Sequence, residues 1–147
     1  MQGRTLDASP NERGLEMAGV PLPEGYHSVN PYIVVEGAEL FIEFLVEVFG
    51  GVEQGRSLRP DGRIDHGDVR IGDSLVMLSE ASGAYPARPC VHFVYVEDVD
   101  ATYRAGLAAG ATPIMEPTDQ SWGDRCCGFL DPFENRWWVA THLRHFP

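Results

Sequence analysis

The chain has 147 residues, 44% of them hydrophobic, which suits one well-buried domain and is too short for two of ordinary size. Its formal net charge of −11 argues against a nucleic-acid or anionic-membrane surface, because phosphate binding depends on clustered Lys and Arg. All 11 basic residues other than histidine are Arg, so lysine Schiff-base chemistry is excluded.

Residues 1–25 mix Pro, Gly, Asn and charged residues without a sustained period and read as a flexible N-terminal arm. Residues 26–147 then form a single domain. Val29 to Val35 is β-branched and aromatic between turn-formers, the mark of a strand. From Ala38 to Phe49, apolar Leu40, Phe41, Phe44, Leu45 and Val48 recur at helical spacing, with Glu39, Glu43 and Glu47 on another face. Gly50-Gly51 stops that helix. Pro60-Asp61-Gly62 marks a turn, and strands at Ile64–Ile71 and Ser74–Leu78 flank Gly72-Asp73, a hairpin signal. Residues 26–80 are thus a βαβββ module, and 81–89 a connector. Residues 90–142 repeat the plan: a strand at Val91–Val96, Asp98 as N-cap, a helix through Leu107 and Gly110 as its stop. A loop with Trp122-Gly123-Asp124-Arg125 follows, then two strands flanking Asp131-Pro132-Phe133-Glu134. Segments 52–63 and 111–125 carry no readable period.

Displacement by 61 positions brings the halves into register, with Asn30–Glu36 over Val91–Glu97 and Met77 over Trp138. Each repeat must bury its apolar face against the other, which places function between the copies. Cys90, Cys126 and Cys127 have neither metal spacing nor the density of a disulfide scaffold and read as reduced thiols. No apolar run approaches the ~20 residues that span a bilayer, and no signal peptide is visible. A cytoplasmic location is expected.

The paired modules, Val34-Val35-Glu36-Gly37 leading to Phe44, Val96-Glu97-Asp98-Val99-Asp100 and Asp131-Pro132-Phe133-x-Asn135 together resemble the vicinal oxygen chelate superfamily. That group contains glyoxalase I, the bleomycin-resistance proteins, methylmalonyl-CoA epimerase and the extradiol dioxygenases. Gly62–Ser74, Trp122–Arg125 and Ala140–His142 look most like its PhnB-like branch. The resemblance covers residues 26–142 and implies an α+β fold, two tandem βαβββ modules forming a curved mixed sheet around a central cavity. It also implies a divalent metal on four side chains, two from first strands and two from last strands. Those positions fall on Asn30, Val91, Met77 and Trp138. Val offers no lone pair, an indole only donates, and a thioether suits soft Cu(I). No metal and no other cofactor is therefore expected. His92, one residue from Val91, shares period two with Val94 and Val96 and belongs to the helix-packed core.

Alternation puts Asn30, Tyr32, Val34, Leu75 and Met77 on the concave face of one half, and Val91, Phe93, Tyr95 and Trp138 on that of the other. Such a lining, aromatic and apolar with a few polar handles, is usual for a small-molecule pocket and favours flat ligands. Trp138 either touches the ligand or plugs the cavity. His66, Asp68 and Arg70 share one strand face. They read either as a general base with its carboxylate beside an anion-holding Arg, or as a solvated ion pair. The Trp122 loop is either a lid or a turn in which Asp124 and Arg125 bond to backbone. Glu134 stands where the family usually has Gly, and His142, Arg144 and His145 read as an exposed tail.

Three readings of function follow. The first is a metal-independent protein that sequesters an aromatic or planar compound, as bleomycin-resistance relatives do, through Asn30, Tyr32, Arg70, Met77, Val91, Phe93, Tyr95, Trp122 and Trp138. The second is an enzyme: a metal-free isomerase, cyclase or lyase with His66 or Asp68 as catalytic base, or a metal-dependent glyoxalase or dioxygenase if the ligand positions are misaligned. The third is a structural or regulatory protein with no small ligand. The expected partners are a small molecule and a second copy of the chain in a homodimer.

Overall fold

The computed structural model describes residues 19–144; most of the expected arm, and His145, lie outside the described residues. The elements in chain order are β1 (Tyr32–Val35), α1 (Ala38–Phe49), β2 (Val52–Leu58), β3 (Ile64–Ile71), β4 (Ser74–Glu80), β5 (Val91–Tyr95), α2 (Val99–Ala108), β6 (Thr112–Asp119), β7 (Asp124–Leu130) and β8 (Arg136–His142). The strands form two four-stranded sheets, ordered β1-β4-β3-β2 and β5-β8-β7-β6. In each module the first strand lies at the edge, parallel to the last. The repeat extends to the register: Tyr32 pairs with Met77, and Phe93 pairs with Trp138. No helix among the described residues is long and apolar enough to cross a membrane.

Helix α1 supplies most of the core. Phe41, Ile42, Phe44, Leu45 and Val48 are buried while Glu39, Glu43 and Glu47 face solvent; Leu40, apolar by spacing, is exposed. The helix begins at Gly37, whose φ of 94° carries no capping side chain. Glu80, far along the chain, accepts the N–H groups of Gly37 (2.9 Å) and Ala38 (2.7 Å) instead, which sets a carboxylate at the positive end of the helix dipole. Gly50 closes it in the left-handed region at φ 65°, as its position after the apolar run predicts. Asp98 caps α2 through the Ala101 N–H at 3.1 Å.

β1 starts at Tyr32 rather than Val29 because Asn30 folds the preceding segment into a turn. Its Oδ1 accepts from His27 N (3.0 Å) and its Nδ2 donates to His27 O (2.7 Å). The segments without a readable period contain β2 and β6, the outer strands. Every β2 residue is exposed, and an edge strand in water on both faces has no alternation to show.

No strand of one sheet contacts a strand of the other; the modules meet through α1 and α2 and an aromatic seam. Phe44 sits edge-on to Phe129 at 6.4 Å, Phe49 stacks on Phe129 at 6.2 Å and tilts onto Trp137 at 4.8 Å, and Phe41 meets Phe133 at 5.2 Å. Buried Asp131 fixes that side of the seam. Its carboxylate accepts from the backbone N–H groups of Phe133 and Asn135, from Asn135 Nδ2, and from Trp137 Nε1 at 2.8 Å. Asn135 in turn holds Cys90, the residue before β5, through its backbone N–H at 3.1 Å. In the same turn Glu134 adopts φ 70°, the one positive φ outside glycine among the described residues.

Phe129 is fully buried between the modules. Phe129→Ala should lower unfolding stability by about 3–5 kcal/mol, read as a shifted midpoint in urea, with Phe129→Leu costing much less. A loss below about 1 kcal/mol, the size typical of surface substitutions, would show that the seam does not join the modules.

Candidate functional site

Each sheet buries one face under the helices and leaves the other open. In the first sheet Ile33, Val35, Val69, Val76 and Leu78 are buried, so Tyr32, Val34, His66, Asp68, Arg70, Leu75 and Met77 fall on the open face by alternation. In the second, Trp137, Val139, Cys127 and Phe129 are buried on the helix side. Val91, Phe93, Tyr95 and Trp138 take the other. Tyr32 is 51% exposed, Phe93 48% and Tyr95 61%. The predicted site residues therefore gather as two sets, one per sheet.

The open face of the first sheet is polar. Across it, Tyr32 registers with Met77 and Met77 with Asp68. His66 Nε2 lies 2.9 Å from Asp68 Oδ1. An ionised carboxylate only accepts, so Nε2 carries the hydrogen and Nδ1 is the basic atom of neutral His66. Tyr26 lies beside Asp68, and interaction with that carboxylate raises the phenol above its ordinary pKa. Tyr26 reaches Asp68 because the turn at Pro23–Tyr26 (Tyr26 N to Pro23 O, 3.1 Å) lies over this face, with Gly25 against Leu75 and the Arg70 guanidinium. This end of the expected arm is therefore docked. Asn30 spends its amide on the His27 turn.

The open face of the second sheet is aromatic. Trp138 lies across Gly128, its neighbour on β7, so closely that a β-carbon there would collide with the indole. Phe93 and Tyr95 stand 5.2 Å apart at 54°. At one end Asp124, 1% exposed, accepts three side-chain donors: His142 Nδ1 at 2.8 Å, the Tyr95 hydroxyl at 2.9 Å and Trp122 Nε1 at 3.0 Å. These bonds, His142 first, hold its pKa below the usual carboxylate value. Hydrogen bonding to that carboxylate raises the Tyr95 phenol. Trp122 is thereby tied to the sheet through side chains, and Arg125 pairs with Asp100 (2.8 Å) and Asp119 (3.0 Å). The side chains of Asp124 and Arg125 bond to other side chains, not to backbone as the turn reading of this loop has it. His142 lies in β8, not in a tail.

The family model of the glyoxalase/bleomycin resistance protein/dioxygenase superfamily matches residues 25–139. The chain belongs to this superfamily. Uncharacterized proteins of Mycobacterium tuberculosis and Mycobacterium bovis are 34% identical over 128 residues, covering 80% of this chain and 75% and 84% of theirs. Among solved structures, TioX from Micromonospora sp. ML1 is 26% identical at a TM-score of 0.62, covering 79% of this chain and all of that one. The PhnB protein from Bacillus cereus is 14% identical at a TM-score of 0.64, covering 78% and 99%. At that identity the likeness speaks to fold alone.

The positions that the resemblance to superfamily enzymes assigns to a metal are Asn30, Met77, Val91 and Trp138. Of these only Asn30 offers an oxygen, and that oxygen already accepts the His27 N–H at 3.0 Å. Among the described residues no three His, Cys, Asp or Glu side chains converge as a metal cluster. The donor set does not fit a hard catalytic cation.

Two cavities adjoin these faces. One of about 480 Å³ runs between Tyr32 and Val34 on β1 and the connector residues Ala84–Pro86 and Arg88–Cys90. The other, about 340 Å³, lies at the module boundary between the β3–β4 turn and β5 and is lined by His92 and Trp137. His92 packs on Trp137 at 5.0 Å, and its Nε2 is buried without a partner. Tyr26, Asp124, His142 and the connector escape a sequence reading because their partners are distant in the chain.

Burial lowers the His92 pKa, opposed in part by Asp131. The unfolded imidazole titrates near 6.5, so below that pH the unfolded chain binds a proton the folded chain resists. Stability should be complete above pH 6.5 and fall as pH drops through 6.5 toward the folded pKa. His92→Phe should flatten that part of the profile. A wild-type curve level from pH 7 to 5 would contradict the burial of neutral His92.

Proposed function

We propose that the chain is a metal-independent binding protein that sequesters an aromatic or planar small molecule in a cup completed by a second copy of itself. The observation that carries this reading is the row of rings on the second sheet, exposed Phe93, Tyr95 and Trp122 with half-buried Trp138 beside them, at and around positions that hold no coordinating group. Rings present broad apolar faces at little rotamer cost and suit flat guests. Exposed apolar rings in a row mark a binding surface rather than ordinary solvent-facing surface.

The homodimer is supported by the edges. Strands β1 and β5 each pair on one side only among the described residues, and a free edge is a template for another strand. Joining β1 of one copy to β5 of its partner sets the polar face opposite the aromatic one and encloses a cavity. The three thiols are unbridged, in keeping with action in the cytoplasm.

One observation favours an enzyme as the second reading. The His66–Asp68 pair at 2.9 Å fixes the imidazole with Nδ1 as its basic atom, and proton abstraction by such a base needs no metal. In that reading Asp68 orients His66, and Arg70 holds an anionic group.

Protein purified without chelator should contain far less than one metal per chain and run at twice the chain mass in light scattering. Acridine or 10-methylacridinium should quench its tryptophan fluorescence saturably and equally with or without EDTA. Phe93→Ala, at an exposed position, should weaken that binding about tenfold. Stoichiometric Zn, Ni, Mn or Fe, or no quenching by either compound, would overturn the proposal. Slow chemical conversion of a bound compound, abolished by His66→Ala, would favour the enzyme.

A further inference from the structure

The ionised Asp124 carboxylate sits at the edges of two exposed rings that both donate to it. Tyr95 is 61% and Trp122 54% exposed, while their hydroxyl and indole N–H groups reach Asp124 Oδ2 at 2.9 and 3.0 Å. A ring that gives its polar hydrogen to a carboxylate gains electron density on its π face, and that face is what attracts a cation. Phe93, 5.2 Å from Tyr95, extends the surface. Arg125, next in sequence, pairs with Asp100 and Asp119 rather than with Asp124, and His142 Nδ1 holds the other carboxylate oxygen, Oδ1, at 2.8 Å. The chain's net charge of −11 adds a long-range bias of the same sign.

We propose that Tyr95 and Trp122 form a subsite for the positively charged part of the ligand, with Asp124 behind them as the fixed source of field. The ligand class is then a flat organic cation, such as an N-alkylated heteroaromatic or a protonated arylamine. This inference rests on the binding function proposed above and narrows its ligand.

Acridine and 10-methylacridinium share one ring system, and at pH 8 only the second is charged. In calorimetric titration of the full chain, the cation should bind at least about tenfold more tightly than acridine, and the preference should shrink as salt rises. Tyr95→Leu and Trp122→Leu, both at exposed positions, should each remove most of the preference, weakening 10-methylacridinium binding more than acridine binding. Tyr95→Phe keeps the ring and loses the bond to Asp124, so it should retain a reduced preference. Equal affinity for the two compounds would overturn the cation subsite and leave the binding function standing. A preference that survives both leucine variants unchanged would also overturn it. Failure of both compounds to bind would sink the binding function itself.

Discussion

The aromatic seam between the modules sets what the rest of the molecule can be. Helix α1 presents Phe41, Phe44 and Phe49 to Phe133, Phe129 and Trp137, and this contact uses the helix-facing sides of both sheets. Each sheet has only two faces. Once the helix sides are joined, the two remaining faces stay open, and β1 and β5 each keep one unpaired edge among the described residues. The Asp131 carboxylate matters for the same reason. By accepting Trp137 Nε1 and organising the 131–135 turn, it locks one wall of the seam and the start of β5 together.

The open faces have diverged in character although they descend from one repeated pattern. Tyr32 over Met77 in one sheet corresponds to Phe93 over Trp138 in the other. Around the first pair stand His66, Asp68 and Arg70; around the second stand Tyr95, Trp122 and a glycine, Gly128, whose missing side chain lets the Trp138 indole lie flat. A face of charges and hydrogen bonds set against a face of rings suits a guest with an apolar plane and polar edges.

Much of this was legible in the chain. The 61-residue repeat predicted both modules and laid Met77 over Trp138, which take equivalent places in the two sheets. Alternation along β3 and β5 sorted His66, Asp68 and Arg70, and Val91, Phe93 and Tyr95, onto one face each, and put His92 on the other. What stayed hidden depends on contacts between distant residues. Asp124 sits in a motif visible in sequence, but its partners Tyr95 and His142 lie 29 and 18 positions away, and spacing cannot announce such a cluster. Asn30 offered a carbonyl oxygen until the His27 turn consumed it. The outer strands β2 and β6 have no period because water meets most of their residues.

The three tryptophans offer the most direct measurement, since each has one indole N–H visible in a nitrogen–proton NMR correlation spectrum. Trp122 and Trp138 lie on the open face, whereas Trp137 is buried with its N–H on Asp131. A metal-free aromatic cup predicts that 10-methylacridinium, added in EDTA, shifts the Trp122 and Trp138 signals together and saturably while Trp137 scarcely moves. Signals that respond only once a divalent metal is supplied, or a compound that perturbs Trp137 alone, would contradict it.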